Sequence, residues 1–129
     1  MSSLPDLAKN AVRKILDEHG ISVTYYHYTS SGKDSYGQPT YTVTNYTLKA
    51  VKESLGLNDV RFVEAGYLPD HYLYLYFHAD DITFEINKVK DEIDYAGERY
   101  IIRNIFPFMS GDVKIYFKVL CRRKVVVNA

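Results

Sequence analysis

The chain has 129 residues, 47% hydrophobic and 25% charged, which is enough apolar surface to bury one core and excludes disorder throughout. Sixteen basic side chains balance sixteen acidic ones, so the cationic excess that gives a dedicated nucleic-acid binder most of its affinity is missing. One cysteine, Cys121, excludes an internal disulfide and points to a reducing compartment. Neither a signal peptide nor a membrane span is expected, because no basic stretch runs into a long apolar one.

A helix is predicted over about 4–19. Ser3 supplies an N-cap oxygen, Pro5 stands in the first turn where it removes no helical hydrogen bond, and Gly20 stops the helix. Leu4, Leu7, Ala8, Ala11, Val12, Ile15 and Leu16 recur at helical spacing, and docking is expected through Leu7, Ala11, Ile15 and Leu16. From Ile21 the apolar period becomes two, and a second strand-like stretch runs from Thr40 to Val51. The Ser-, Gly-, Asp- and Pro-rich segment 30–39 between them is a turn, so the two strands make a long hairpin.

Residues 52–70 follow neither period for long and read as an extended loop, with a short strand expected near 61–64. Loops of that length are functional or mobile. Next comes Tyr-Leu-Tyr-Leu-Tyr-Phe-His over 72–78, a strand whose alternation sends Tyr72, Tyr74 and Tyr76 to one face and Leu73, Leu75 and Phe77 to the core. A tyrosine ladder on an outer face implies cover by the helix, by the long loop or by another subunit. Residues 92–95 and 99–106 flank an Ala96-Gly97-Glu98 turn. Pro107 is expected to end that strand, and 113–127 is the last one. The whole is read as one domain over 1–129. It is mostly β, a small antiparallel barrel or sandwich of about six strands over 21–127, with a short N-terminal helix.

No catalytic role, metal or cofactor is expected. The phosphate-binding, dinucleotide-binding and nucleophile-elbow motifs are all missing. Cys121 lies in a predicted strand and reads as a buried structural thiol. His71 and His78 would point to opposite faces of one strand. Asp91, Glu92 and Asp94 read as a solvated acidic turn, and Arg122-Arg123-Lys124 as a solvated edge or a contact for nucleic acid or an acidic partner.

The C-terminal half carries a further pattern in Asp91, Ile93, Gly97, Tyr100, Ile102, Ile105, Pro107, Tyr116, Leu120 and Arg122. In this it resembles the head-completion proteins of tailed bacteriophages, the head–tail connectors or stoppers of the neck. The front half agrees in layout, with a helix, a hairpin with a polar loop, and a long loop. The tyrosine content and the 52–70 stretch depart from the family pattern.

The resemblance implies a non-enzymatic virion protein of the neck, made in the host cytoplasm. As a ring subunit, in a hexamer or dodecamer, it would close the portal channel after DNA packaging and offer the surface on which the tail docks. Its partners would be copies of itself, a portal-associated adaptor, a tail terminator or tail tube protein, and the packaged DNA end in the channel, with no membrane. The loop would supply gating residues, with Lys52, Leu55, Leu57, Asn58, Arg61, Phe62 and Tyr67 as candidates. Candidates for the subunit interface are Tyr72, Tyr74, Tyr76, Arg122 and Lys124. The alternatives are a tail-completion or terminator protein, and a small oligonucleotide-binding barrel with tyrosines as stacking platforms.

Overall fold

The computed structural model describes residues 3–124, and of Leu57, Asn58 and Val60 the backbone alone. Helix α1 spans Leu4–His19; the Ser3 hydroxyl accepts from the Asp6 N–H at 3.3 Å, and the Gly20 N–H closes the last turn on the Leu16 carbonyl. Six strands follow: β1 Ile21–Lys33, β2 Pro39–Glu53, β3 Tyr72–His78, β4 Glu92–Tyr95, β5 Glu98–Ser110 and β6 Val113–Arg123. They close an antiparallel barrel in the order β1-β2-β3-β6-β5-β4, so the fold is mostly β with one N-terminal helix, as the sequence predicts. The expected reach of the last strand to Val127 lies outside the described residues.

Alternation places Val23, Tyr25, Leu48, Ala50, Leu73, Leu75, Phe77, Ile93, Ile102, Val119 and Cys121 inside the barrel. Burial pushes the Cys121 thiol well above its ordinary pKa, which leaves it protonated and inert. The β4–β5 hairpin turns on Ala96 and Gly97, both at positive φ (53° and 82°), the pattern of a tight two-residue turn that suits the twist of the strands.

Several sequence expectations are corrected. Residues near 61–64 form no strand; a 3-10 turn over Leu57–Phe62 stands there, and a second covers Pro69–His71. Pro107 does not end β5. By that point the strand has left β4, whose last partner is Ile101, and is paired with β6 alone. A missing N–H is tolerated at such a one-sided position.

The acidic turn is not solvated. Asp91 and Glu92 are buried. Asp91 accepts from the Tyr25 hydroxyl (2.7 Å), His27 Nδ1 (2.9 Å), the Tyr28 N–H (2.8 Å) and the Asn87 N–H (2.9 Å). A buried carboxylate is tolerable with that many donors. It ties the segment 82–91 to β1, and Phe84 of that segment stacks on both His27 and Tyr46. Glu92 is bonded by Arg99 (2.8 Å) and Lys124 (2.7 Å).

Helix α1 docks by a different face from the one its apolar stripe suggests. Leu16 is buried, but Leu7 and Ile15 are 56% and 52% exposed, and Ala11 is exposed as well. The docked side is polar along much of its length. Lys9 meets Asp80 at 3.0 Å, and Arg13 grips Asp81 with two bonds of 2.9 and 2.7 Å. His78 Nδ1 accepts from the Asp80 N–H, so Nε2 carries the proton and donates to the Lys9 carbonyl at 3.0 Å. Lys9, Arg13 and Leu16 share one side at helical spacing, and Leu4, Leu7, Ala11 and Ile15 are left on another.

Candidate interaction surface

The outer face of β3 is where the sequence places its tyrosine ladder, and the structure shows what covers it. Tyr72 and Tyr74 are buried, at 3% and 1% exposure, beneath the long loop. Leu55, Phe62, Val63 and Tyr67 of the loop pack with them, together with Leu120 and Phe106. The loop is therefore a lid with its own small core, built on the outside of the barrel. Tyr72 and Tyr74 are not an open subunit interface in this chain; the apolar residues of the loop need cover, and the two rings provide it.

One carboxylate fastens this lid. Glu64 accepts from Arg103 of β5, from Arg122 of β6 and from the Tyr72 hydroxyl, which in turn accepts from the Glu64 N–H at 2.8 Å. Burial alone would raise the Glu64 carboxyl, but the bonds from Arg122 and Tyr72 and the two guanidinium charges outweigh it and hold it below its ordinary range. The Arg122 guanidinium also lies over the Tyr67 ring at 3.9 Å. Lys118 sits over Tyr74 at 4.1 Å. Burial, then the neighbouring Asp59 carboxylate, pushes the Tyr74 phenol up to about 12.

The remaining candidates separate. Arg122 is a clamp on the loop and not a free rim charge. Lys124 is half-exposed but engaged with Glu92. Of the gating candidates, Leu55, Phe62 and Tyr67 face the barrel instead of projecting, while Lys52 and Arg61 are exposed. Lys52 and Leu55 line a cleft of about 490 Å³ with Tyr72, Tyr100 and Arg123. Leu57 and Asn58 belong to the 3-10 turn, and their side chains lie outside those described.

Tyr76 is the member of the ladder that stays near the surface. Its hydroxyl donates to Glu53 at 3.1 Å, and its ring packs against Tyr116 at 5.7 Å between centroids. Tyr76, Tyr116 and Val51 form one wall of an apolar groove of about 280 Å³, and Val12, Ile15 and Leu16 of α1 form the other. Tyr116 stacks in turn on Phe108, which is 49% exposed. Beside this groove lies the outward stripe of α1, with Leu4 at 72% and Leu7 at 56% exposure.

Sequence reasoning notes this stripe but assigns it to the interior. The signal that reverses the assignment is Lys9 and Arg13, one turn apart on the side that carries Leu16, with the Asp80-Asp81 pair available to receive them. Sequence reasoning also misses Glu64, Arg103 and Phe108 of the two surfaces, and it names Tyr116 only as a position of the resemblance pattern.

In sequence, no family model and no curated protein matches this chain. Among solved structures it is similar to the solution structure of protein SF1141 from Shigella flexneri 2a. The identity is 16% and the TM-score 0.56, over 80% of this chain and 90% of that one. That likeness is one of fold. The phage-like element PBSX protein xkdH from Bacillus subtilis aligns at 12% identity and a TM-score of 0.40, over 82% of this chain and 96% of that one.

Proposed function

We propose that this chain is a structural subunit of a tailed-bacteriophage neck. It assembles with copies of itself into a ring that closes the portal channel and receives the tail, and it works by binding rather than by catalysis. The observation that carries the reading is the outward apolar stripe of α1, Leu4, Leu7, Ala11 and Ile15, beside the groove walled by Val51, Tyr76 and Tyr116. An isolated monomer gains nothing from leaving these side chains in water. Covering one leucine contributes roughly 1.5–3 kcal/mol, so a neighbour that seats on the stripe has a strong reason to stay.

The sequence resemblance from Asp91 to Arg122 supports the class of assembly. In this reading the working surface is the helix, the groove and Phe108, in place of Tyr72 and Tyr74, and the portal-associated adaptor and the tail terminator or tube are the partners above and below the ring. Binding energy at such surfaces concentrates in a few large side chains.

The test is Leu7→Glu combined with Ile15→Glu in particles made with the variant chain. The thermal midpoint of the isolated chain should stay close to that of the parent, because neither residue is buried. Particles should lose packaged DNA and carry few tails. Normal tails on particles that contain the variant would refute the reading.

A further inference from the structure

The strand edges of this barrel are not equally protected. β1 is paired with β4 only over Thr24–Tyr26, and β2 with β3 only over Val51–Glu53, so the rest of the long hairpin runs past the barrel with both edges unpaired. The β1 edge is guarded. The Tyr28 N–H is taken by Asp91 at 2.8 Å and its carbonyl by the Asn87 side chain at 3.3 Å, so the segment 82–91 occupies the place of the next strand.

The one-sided stretch of β5 is guarded differently. It carries Arg103 and Pro107, and its ladder with β6 is irregular at Ile102/Asn104 and at Phe108/Met109. Charge, proline and bulges are the devices by which natural edges avoid pairing.

Between Pro39 and Lys49 the β2 edge has none of them. Residues 40–48 read Thr-Tyr-Thr-Val-Thr-Asn-Tyr-Thr-Leu, with no charge, no proline and no glycine. β-Branched and aromatic residues dominate, the composition that favours a strand. The irregularity in the hairpin falls on the β1 side, at Ser30/Gly32, and leaves β2 regular. Thr42, Val43, Thr44 and Asn45 are all exposed.

We propose that this edge binds a second copy of itself, β2 against β2, antiparallel about a two-fold axis at Thr44. The stretch matches itself. Centred on Thr44, Thr40 faces Leu48, Tyr41 faces Thr47, Thr42 faces Tyr46 and Val43 faces Asn45, so no charge meets its like. This register gives the longest ladder the segment allows, because Pro39 has no N–H to donate and Lys49 is drawn toward Asp17 on α1. Aromatic and β-branched pairs across such a ladder add to the main-chain bonds. One added strand pair is smaller than a standard interface of about 1,200–2,000 Å², so the dimer is a species of high concentration. The contact goes beyond the neck reading. It leaves the stripe of α1 untouched, so either idea can fail without the other.

Disulfide trapping of the full chain tests it, since the native Cys121 is buried and does not compete. Across a two-fold axis at Thr44, two Thr44→Cys residues lie at the Cα separation of a strand pair, within the range a disulfide spans. Thr42→Cys and Tyr36→Cys sit away from the axis, although both positions are exposed, Tyr36 at 88%. Under mild oxidation Thr44→Cys should form covalent dimer about tenfold or more faster than either control, as expected when pairing raises the local thiol concentration. Equal rates at the three positions, or fastest trapping at Tyr36→Cys, would overturn the proposal. A second variant guards against misfolding of the first: Thr44→Lys sets like charges opposite each other and should lower the dimer fraction in sedimentation at high concentration. No change in that fraction counts against the pairing.

Discussion

The loop 54–71 and helix α1 both lie against the outside of the barrel beside β3, and they are held in opposite ways. The loop turns Leu55, Phe62, Val63 and Tyr67 inward onto Tyr72 and Tyr74, and Arg103 and Arg122 close over its edge through Glu64. The helix turns Lys9 and Arg13 inward, with Leu16, and leaves Leu4, Leu7, Ala11 and Ile15 in solvent. An element whose apolar side is inward completes the fold of its own chain. One that docks through its charges leaves an apolar side exposed. The same residue types thus give a structural lid in one place and an exposed apolar stripe a short distance away.

The comparison breaks most sharply at Tyr74. If the loop is a lid, Tyr74→Ser opens a cavity in the outer cluster and should cost about 3–5 kcal/mol, read as a lower denaturant midpoint. An unchanged midpoint would mean that the ring is not covered. Leu16→Ala belongs beside it, with about 2–5 kcal/mol expected, because Leu16 is the one fully buried side chain of the helix.

Glu64→Gln comes next. It leaves Arg103 and Arg122 without their shared carboxylate and should cost about 1–3 kcal/mol. The same residue gives the lid a pH dependence. Because the folded carboxyl is held below its ordinary range, its stabilisation is fully present above the unfolded pKa of about 4.3 and is lost as pH falls through the lowered folded value. Amide protection over 54–71, corrected for the intrinsic exchange rate at each pH, should therefore fall on acidification ahead of that of the barrel strands. In Glu64→Gln that protection should be lower at neutral pH and change less on acidification.

The smallest effect falls on the helix. Arg13→Ala removes a partly exposed ion pair and should cost about 1 kcal/mol or less, read from the same denaturant curve.

How much of this the sequence reveals depends on where each residue's partners lie in the chain. The ends of α1 are legible because Ser3, Pro5 and Gly20 act within one turn of themselves. The alternation in 72–78 is legible because a strand's period is local, and it separates the inner leucines from the outer tyrosines correctly.

What covers those tyrosines is not local. Glu64 meets Arg122 across 58 residues, and Arg13 meets Asp81 across 68. Helical periodicity finds the stripe of α1 but carries no information about which side the barrel will take, since that is decided by Asp80 and Asp81. Asp91 misleads for the same reason. Its run of acids resembles a solvated turn until Tyr25 and His27, more than sixty residues earlier, arrive with their donors. Pro107 is misread because its position on a one-sided strand depends on where β4 stops.

The claim that α1 presents a working surface is tested most directly by thiol labelling at Leu7→Cys, Ile15→Cys and Leu16→Cys, in the isolated chain and in the assembled particle. Cys121 is buried and contributes no background. The account predicts rapid labelling at positions 7 and 15 in the isolated chain, protection of both in the particle, and slow labelling at 16 in each state. Equal labelling of positions 7 and 15 in the two states would contradict it.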